Sequence, residues 1–209
     1  MRIVVVGATG RTGLRVVDAA LARGVDVLAV VRDPTRLGDR RARVTAAVGD
    51  ARDEAALLRW LRPDDAVISA LGGGRGAGGD GVGEGTARVV AAMEAVGARR
   101  FLGVVGAGIL LSDQGVPRHA LPDYPPPFRA IGVQHQAALA ACERSSRAWV
   151  MVGCPRIVDA DATGRLVTRR DHLPPGIDQV TTGDLGDLLV SEALSPTVER
   201  GRLGVNQRA

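Results

Sequence analysis

The stretch that decides the fold is "IVVVGATGRTG", residues 3–13. A β-branched apolar run reads as a buried strand, and it breaks into glycines spaced G-x-x-G-x-x-G where a helical period begins. Between a strand and a helix, that spacing has a physical meaning at each position. Gly7 allows a tight turn, Gly10 lets the backbone come close to a pyrophosphate, and Gly13 lets the new helix pack against the strand. The amides left free at the helix start supply donors and positive potential for an anion.

Working outward, apolar runs recur at 2–7, 25–32, 43–49, 65–71, 100–106 and 148–153, with segments of helical period at 11–23, 53–61, 84–97 and 133–145. This alternation predicts an α/β fold of the Rossmann type, a doubly wound parallel sheet with helices on both faces. Beyond it, 165–170 reads as a further strand, 181–194 as a capped helix and 202–207 as a final strand. No linker interrupts the 209 residues, so a single NAD(P)-binding domain over 1–209 is expected, with a small substrate-side region at 154–181. The glycine-rich stretch 72–85 and the proline-rich stretch 113–128 follow the fourth and fifth strands. Both are expected as loops lining the pocket, because open parallel sheets hold ligands at the carboxyl ends of their strands.

Composition narrows the chemistry. All 27 basic residues are arginine. A lysine general base, a Schiff base and a Walker-type phosphate lysine are therefore excluded. A net charge of +4 with 2% aromatic residues gives little basis for nucleic acid as a partner. No stretch approaches the roughly 20 apolar residues of a membrane span, so no membrane partner is expected. The opening strand has no signal-peptide layout, which predicts a cytoplasmic protein. Cys142 and Cys154 are too few for a disulfide framework or a zinc site and sit in apolar surroundings. They read as buried thiols, and no metal is expected. The expected partner is a small-molecule substrate, and the oligomeric state is not legible.

The second strand ends in "VVRDP", where an NAD-preferring protein usually carries an acid for the ribose hydroxyls. Arg32 occupies that end, and a guanidinium there suits the 2′-phosphate of NADP, with Arg11 and Arg36 able to close on the same group. If Asp33 faces the ribose instead, NAD is preferred.

Together, "VVVGATGRTG", "VVRDPTRL", "AVGDARD", "DAVISALG", "EGTARVVAAMEAVGARRFLGVV" and "CPRIVDADATG" resemble the atypical short-chain dehydrogenase/reductases of the NAD(P)H-binding kind. The similarity is greatest to the biliverdin reductase B/flavin reductase group and to NmrA-like relatives. The resemblance implies that Gly7, Thr9, Gly10, Arg11, Thr12 and Gly13 hold the pyrophosphate, Arg32 and Arg36 the 2′-phosphate, and Asp50 with Ala51 the adenine. It implies that Ala70, Leu71 and Gly72 run beside the ribose and pyrophosphate. Val105, Gly106 and the stretch from Pro155 to Ile157 would border the nicotinamide.

The chain departs from the family where the proton relay should be. Classical members place a serine after the fifth strand and a Tyr-x-x-x-Lys pair on the next helix. Here "GVVGAGIL" puts Gly106 or Ala107 at the serine, Ile131 at the tyrosine and His135 at the lysine. His135, expected near a helix start, is a candidate either to hold the ribose or to act as general acid near neutral pH. Tyr124 and His119, in the proline-rich loop, are candidates to close over a substrate, while His172 reads as a surface residue. The leading functional expectation is an NADPH-dependent reductase acting on a flavin, quinone, tetrapyrrole, enone or imine. An NmrA-like NADP(H) sensor without turnover and a non-redox isomerase or cyclase are the alternatives on the same scaffold.

Overall fold

The computed structural model describes residues 1–72, 80–197 and 199–209. Its strands are β1 (Arg2–Val6), β2 (Asp26–Val31), β3 (Thr45–Val48), β4 (Ala66–Ser69), β5 (Arg100–Gly106), β6 (Ala148–Cys154), β7 (Arg156–Val158), β8 (Leu166–Arg170), β9 (Gln179–Thr181) and β10 (Gly201–Gln207). The α-helices are α1 (Arg11–Ala22), α2 (Glu54–Trp60), α3 (Asp80–Val96), α4 (Pro126–Arg144) and α5 (Thr182–Leu194). Eight strands form one sheet in the order β3-β2-β1-β4-β5-β6-β10-β8, parallel except for the β10–β8 pair, and β7 and β9 form a separate parallel pair. The expected Rossmann-type sheet is present. The order reverses between β1 and β4, which opens a crevice at the carboxyl edge.

Both faces of the sheet are apolar because both are covered. On β1, Ile3 and Val5 join α1 residues Val16, Val17 and Ala20 and α5 residues Leu185 and Leu189 in one layer. Val4 and Val6 point the other way, toward Leu57 of α2, Val89 and Met93 of α3 and Leu139 of α4. A near-continuous apolar strand is what two-sided burial requires. Truncating a fully buried residue such as Leu57 or Leu185 costs about 2–5 kcal/mol.

Two expected boundaries move. Residues 80–85 belong to α3 rather than to a loop, and the rest of that glycine-rich stretch, 73–79, lies outside the described residues. Two of the three α3 glycines pack closely, whereas Gly81 faces open space: a Cβ on Gly83 would lie 3.1 Å from Gln134 of α4, and one on Gly85 would lie 2.7 Å from Leu71. Helix α4 starts at Pro126, seven residues before the expected start at 133. Its two leading prolines occupy the first positions of the helix, where an N–H has no intrahelical acceptor to lose. The expected loop 113–128 therefore ends early, and it contains a single 3₁₀ turn at Arg118–Ala120.

In the 154–181 region, β8 closes on β10 as an antiparallel edge strand and β7 pairs with β9. A buried carboxylate ties this region to the sheet. Asp184 accepts hydrogen bonds from the amides of Thr163 and Gly164 and from the side chains of Thr163, Thr181 and Gln207. These bonds hold its pKa down against burial.

Candidate active site

The β1–α1 corner is made of backbone. Gly7 has φ +78°, a conformation open to glycine, and a Cβ there would lie 2.9 Å from the Ala70 carbonyl oxygen. Gly13 packs so closely that a Cβ would strike the Gly7 carbonyl oxygen and lie 2.9 Å from Ala8 Cα. Gly10 is the N-cap of α1 and lacks a side-chain cap, and the first turn carries no acid. Its own amide donates to Gly7 O at 3.0 Å, while Leu14 N donates to Gly10 O at 2.9 Å. The amides of Arg11, Thr12 and Gly13 are thus free of backbone acceptors among the described residues and point out of the helix start, a cradle that suits a pyrophosphate.

The other expected cofactor residues lie along the same carboxyl edge, in spatial order. Asp50 and Ala51 follow β3, Arg32 follows β2, Gly7 follows β1, Ala70, Leu71 and Gly72 follow β4, Val105 and Gly106 end β5, and Pro155 follows β6. Ile157 lies on β7, half-buried and packed against the α1–α5 layer. Ala70 N bonds to Val6 O at 2.9 Å, which carries the β1–β4 pairing to the lip of the crevice. Asp50 pairs with Arg52 at 2.9 Å and accepts from its amide, and these bonds bring its pKa down to about 2.

Charge at the end of β2 is divided. Asp33 accepts from Thr35 N at 3.0 Å and from Thr35 Oγ1 at 2.6 Å. It is the N-cap of the 3₁₀ segment Pro34–Arg43, and those bonds lower its pKa. Arg40 is bound to Asp18 through two bonds at 2.6 and 2.7 Å. Arg11, Arg32 and Arg36 are exposed and make no hydrogen bond or ion pair among the described residues, although the charge of Arg36 acts on Asp33 and that of Arg32 on Asp50.

The β5–α4 corner is made of side chains. His135 lies in the third turn of α4, not at a helix start, because the helix begins at Pro126. Its Nδ1 accepts from Gly106 N at 3.0 Å. An amide can only donate, so the ring proton sits on Nε2. Burial, and then the nearby His119, push the pKa of His135 down to about 4. The imidazole is neutral near pH 7, which removes imidazolium as a proton source there and leaves an N–H hydrogen-bond donor.

Residues 107–124 fold back over this corner. Arg118 N donates to Leu110 O at 2.8 Å, and the Arg129 guanidinium holds the carbonyls of Leu121 and Pro122 at 2.9 and 2.7 Å. His119 Nδ1 bonds to Gly108 O at 3.0 Å, and a Cβ on Gly132 would lie 2.5 Å from His119 Cβ. A Cβ on Gly108 would lie 2.7 Å from Tyr124 Oη, and burial raises the pKa of Tyr124 so that its hydroxyl stays protonated. The structure thus brings His119, Tyr124 and His135 together. It leaves His172 apart, half-buried with Nδ1 bonded to Leu111 O at 3.1 Å. Cys142 and Cys154 are buried thiols with raised pKa values, Cys142 to about 12.

Phe128 and Ile131 are exposed apolar residues of α4 on the same side as His135. They are 55% and 45% exposed, yet they share the α4 face that farther along carries buried Leu139 and Cys142. Helical spacing of 128, 131 and 135 is the signal in the sequence that marks them. Among the described residues, no helix is long and apolar enough to cross a membrane.

Comparison with known proteins places the chain among NAD(P)H-binding and reductase-like relatives. A 3-diazoavenalumate denitrifying reductase from a Streptomyces species is 38% identical over 117 residues, 49% of this chain and 36% of that protein. The chain spans about a third or less of the curated relatives it matches. A crystal structure of a Lactobacillus casei protein superposes with a TM-score of 0.85 at 26% identity, covering 100% of both chains. The anaerobilin reductase ChuY of Escherichia coli O157:H7 has the same fold, with a TM-score of 0.82 at 21% identity over 99% of this chain and 97% of that one. The model of the NAD(P)H-binding family matches residues 7–196, and the chain belongs to that family.

Proposed function

We propose that the chain is an NADPH-dependent reductase of a small conjugated acceptor. The observation that carries this reading is the order of the carboxyl edge: a backbone anion cradle at β1–α1, unpartnered guanidinium groups at the end of β2, and a neutral imidazole at the end of β5. The reductase relative in Streptomyces supports the same reaction class. NADPH is favoured over NADH because the Asp33 carboxylate is already engaged by Thr35, while Arg32, Arg11 and Arg36 are free to meet a 2′-phosphate.

When bound, the cofactor would supply a hydride to an electrophilic carbon, or in a flavin a ring nitrogen, of the acceptor. The protein does the rest. The Gly7–Gly13 turn binds the pyrophosphate, and Ala70 to Gly72 border its path. His135 donates from Nε2 to the carbonyl or imine whose electron density rises as the carbon is reduced. Tyr124, protonated above Gly108, gives the proton that balances the hydride and is recharged from solvent. Phe128 and Ile131 offer an apolar face to the acceptor's body.

The loss of NADPH absorbance in the presence of flavins, quinones and enones tests this reading. Steady consumption with at least one acceptor is expected. On the sequence resemblance the serine position holds Gly106 or Ala107, the tyrosine position Ile131 and the lysine position His135, which favours a second reading, an NADP(H) sensor. NADPH binding without consumption across the panel would overturn the reductase in favour of that sensor.

A further inference from the structure

Two histidines meet at the end of β5 with opposite hydrogen-bond polarity. Gly106 offers its amide N–H to His135 Nδ1, and Gly108 offers its carbonyl oxygen to His119 Nδ1. A carbonyl can only accept, so neutral His119 carries its proton on Nδ1 and has a bare lone pair on Nε2, whereas His135 carries its proton on Nε2. The two Nε2 atoms are therefore unlike: one donates and the other accepts. Neither has a partner among the described residues. The rings share one wall, because His119 lies against Gly132, one turn before His135 on α4.

Resting on the reductase reading, we propose that His135 and His119 together select acceptors in which an N–H adjoins the carbonyl, as in a lactam or imide edge, over acceptors that present a carbonyl alone. The carbonyl accepts from His135 Nε2–H and the adjoining N–H donates to His119 Nε2. A quinone or enone satisfies the first group and leaves the second desolvated without a partner. Sites built to bond a ligand N–H discriminate on this basis, because the unpaired protein group carries the penalty.

Lumiflavin and its N3-methyl derivative test the pair, since they share one ring system and differ in the N–H beside the carbonyls. Quenching of flavin fluorescence by the NADP⁺-saturated protein reads binding without turnover. The wild type is expected to bind lumiflavin about tenfold more tightly than the methylated flavin. His119→Asn keeps an amide donor for Gly108 O but has no atom at the Nε2 position, and should bring the two flavins within about twofold of each other. His119→Gln, with an amide oxygen near that position, should restore part of the preference. A purely steric effect of the methyl group would persist in His119→Asn and would overturn the proposal. Equal binding of the two flavins by the wild type, or binding of neither, would overturn it as well, and needs no variant. Selective binding without NADPH consumption would overturn the reductase reading and leave the pair standing. Turnover of both flavins with equal affinity would do the reverse.

Discussion

The β1–α1 and β5–α4 corners lie on the same edge of one sheet and are built from opposite materials. At β1–α1 the structure uses absent side chains: Gly7 and Gly13 bring backbone within distances that a Cβ would not survive, and the free amides of α1 are the groups we propose to bind the cofactor. At β5–α4 it uses present ones, His135 against Gly106 and His119 and Tyr124 against Gly108, held by a loop that Arg129 clamps. A backbone site binds what all users of the scaffold share, whereas a side-chain site can be changed residue by residue. On the sequence resemblance, the first corner is expected to keep the family's glycines and the second to lack its serine, tyrosine and lysine.

Substitution should break the two corners in different ways. The largest effect belongs to Gly13→Val, whose side chain meets backbone that cannot move away. Overpacking of this kind costs about 1–3 kcal/mol or more, and thermal unfolding should show a clear fall in Tm. Gly10→Val should leave the apo fold nearly intact, since its Cβ is 3.3 Å from Gly7 O and the residue is extended. The same change should weaken NADPH by about 100-fold or more in a fluorescence titration, because the side chain takes the pyrophosphate's place. Normal cofactor binding by Gly10→Val would make the turn structural only.

Arg32→Ala comes next. Loss of a charge-assisted bond of about 1.5–3 kcal/mol should weaken NADPH by roughly 10- to 150-fold and spare NADH. Equal weakening of both would remove Arg32 from the 2′-phosphate. At the other corner, His135→Ala should slow single-turnover reduction by about 10- to 100-fold, the loss of one hydrogen bond to developing charge. Because burial depresses the pKa of His135 to about 4, its neutral form dominates from the ordinary histidine range upward. The His135 contribution to stability should be complete above about pH 6.5 and be lost as pH falls toward 4, as measured by chemical denaturation. Between about pH 6 and 8 the rate should show no inflection that His135→Ala abolishes, and one that it does abolish would restore the His135 imidazolium as the acid. The smallest effect is expected from Asp33→Asn, which can still cap Thr35 and should change neither NADPH nor NADH affinity by more than about twofold.

The two corners also differ in how far they can be read from sequence. The glycine turn is local: a steric demand on three residues within seven positions leaves its mark in the residues themselves. Asp33 was nearly as legible, since "DPT" is an N-cap followed by Pro at the first helical position, a signal that Asp33 is spent on Thr35. The bond between Gly106 and His135 joins residues 29 apart in sequence, so nothing local announces which nitrogen carries the proton. "PPPF" reads as a loop by composition and is a helix start by geometry, which moved His135 from the first turn to the third. Gly83 and Gly85 of α3 mislead for a related reason, because close packing against α4 and Leu71 needs the residues that turns need.

The most direct measurement is a pair of calorimetric titrations of the wild type, one with NADPH and one with NADH. The account predicts that both bind at one site per chain and that NADPH binds at least about tenfold more tightly, through the free guanidinium groups at the end of β2. NADH binding as tightly as NADPH, or no binding of either, would contradict it.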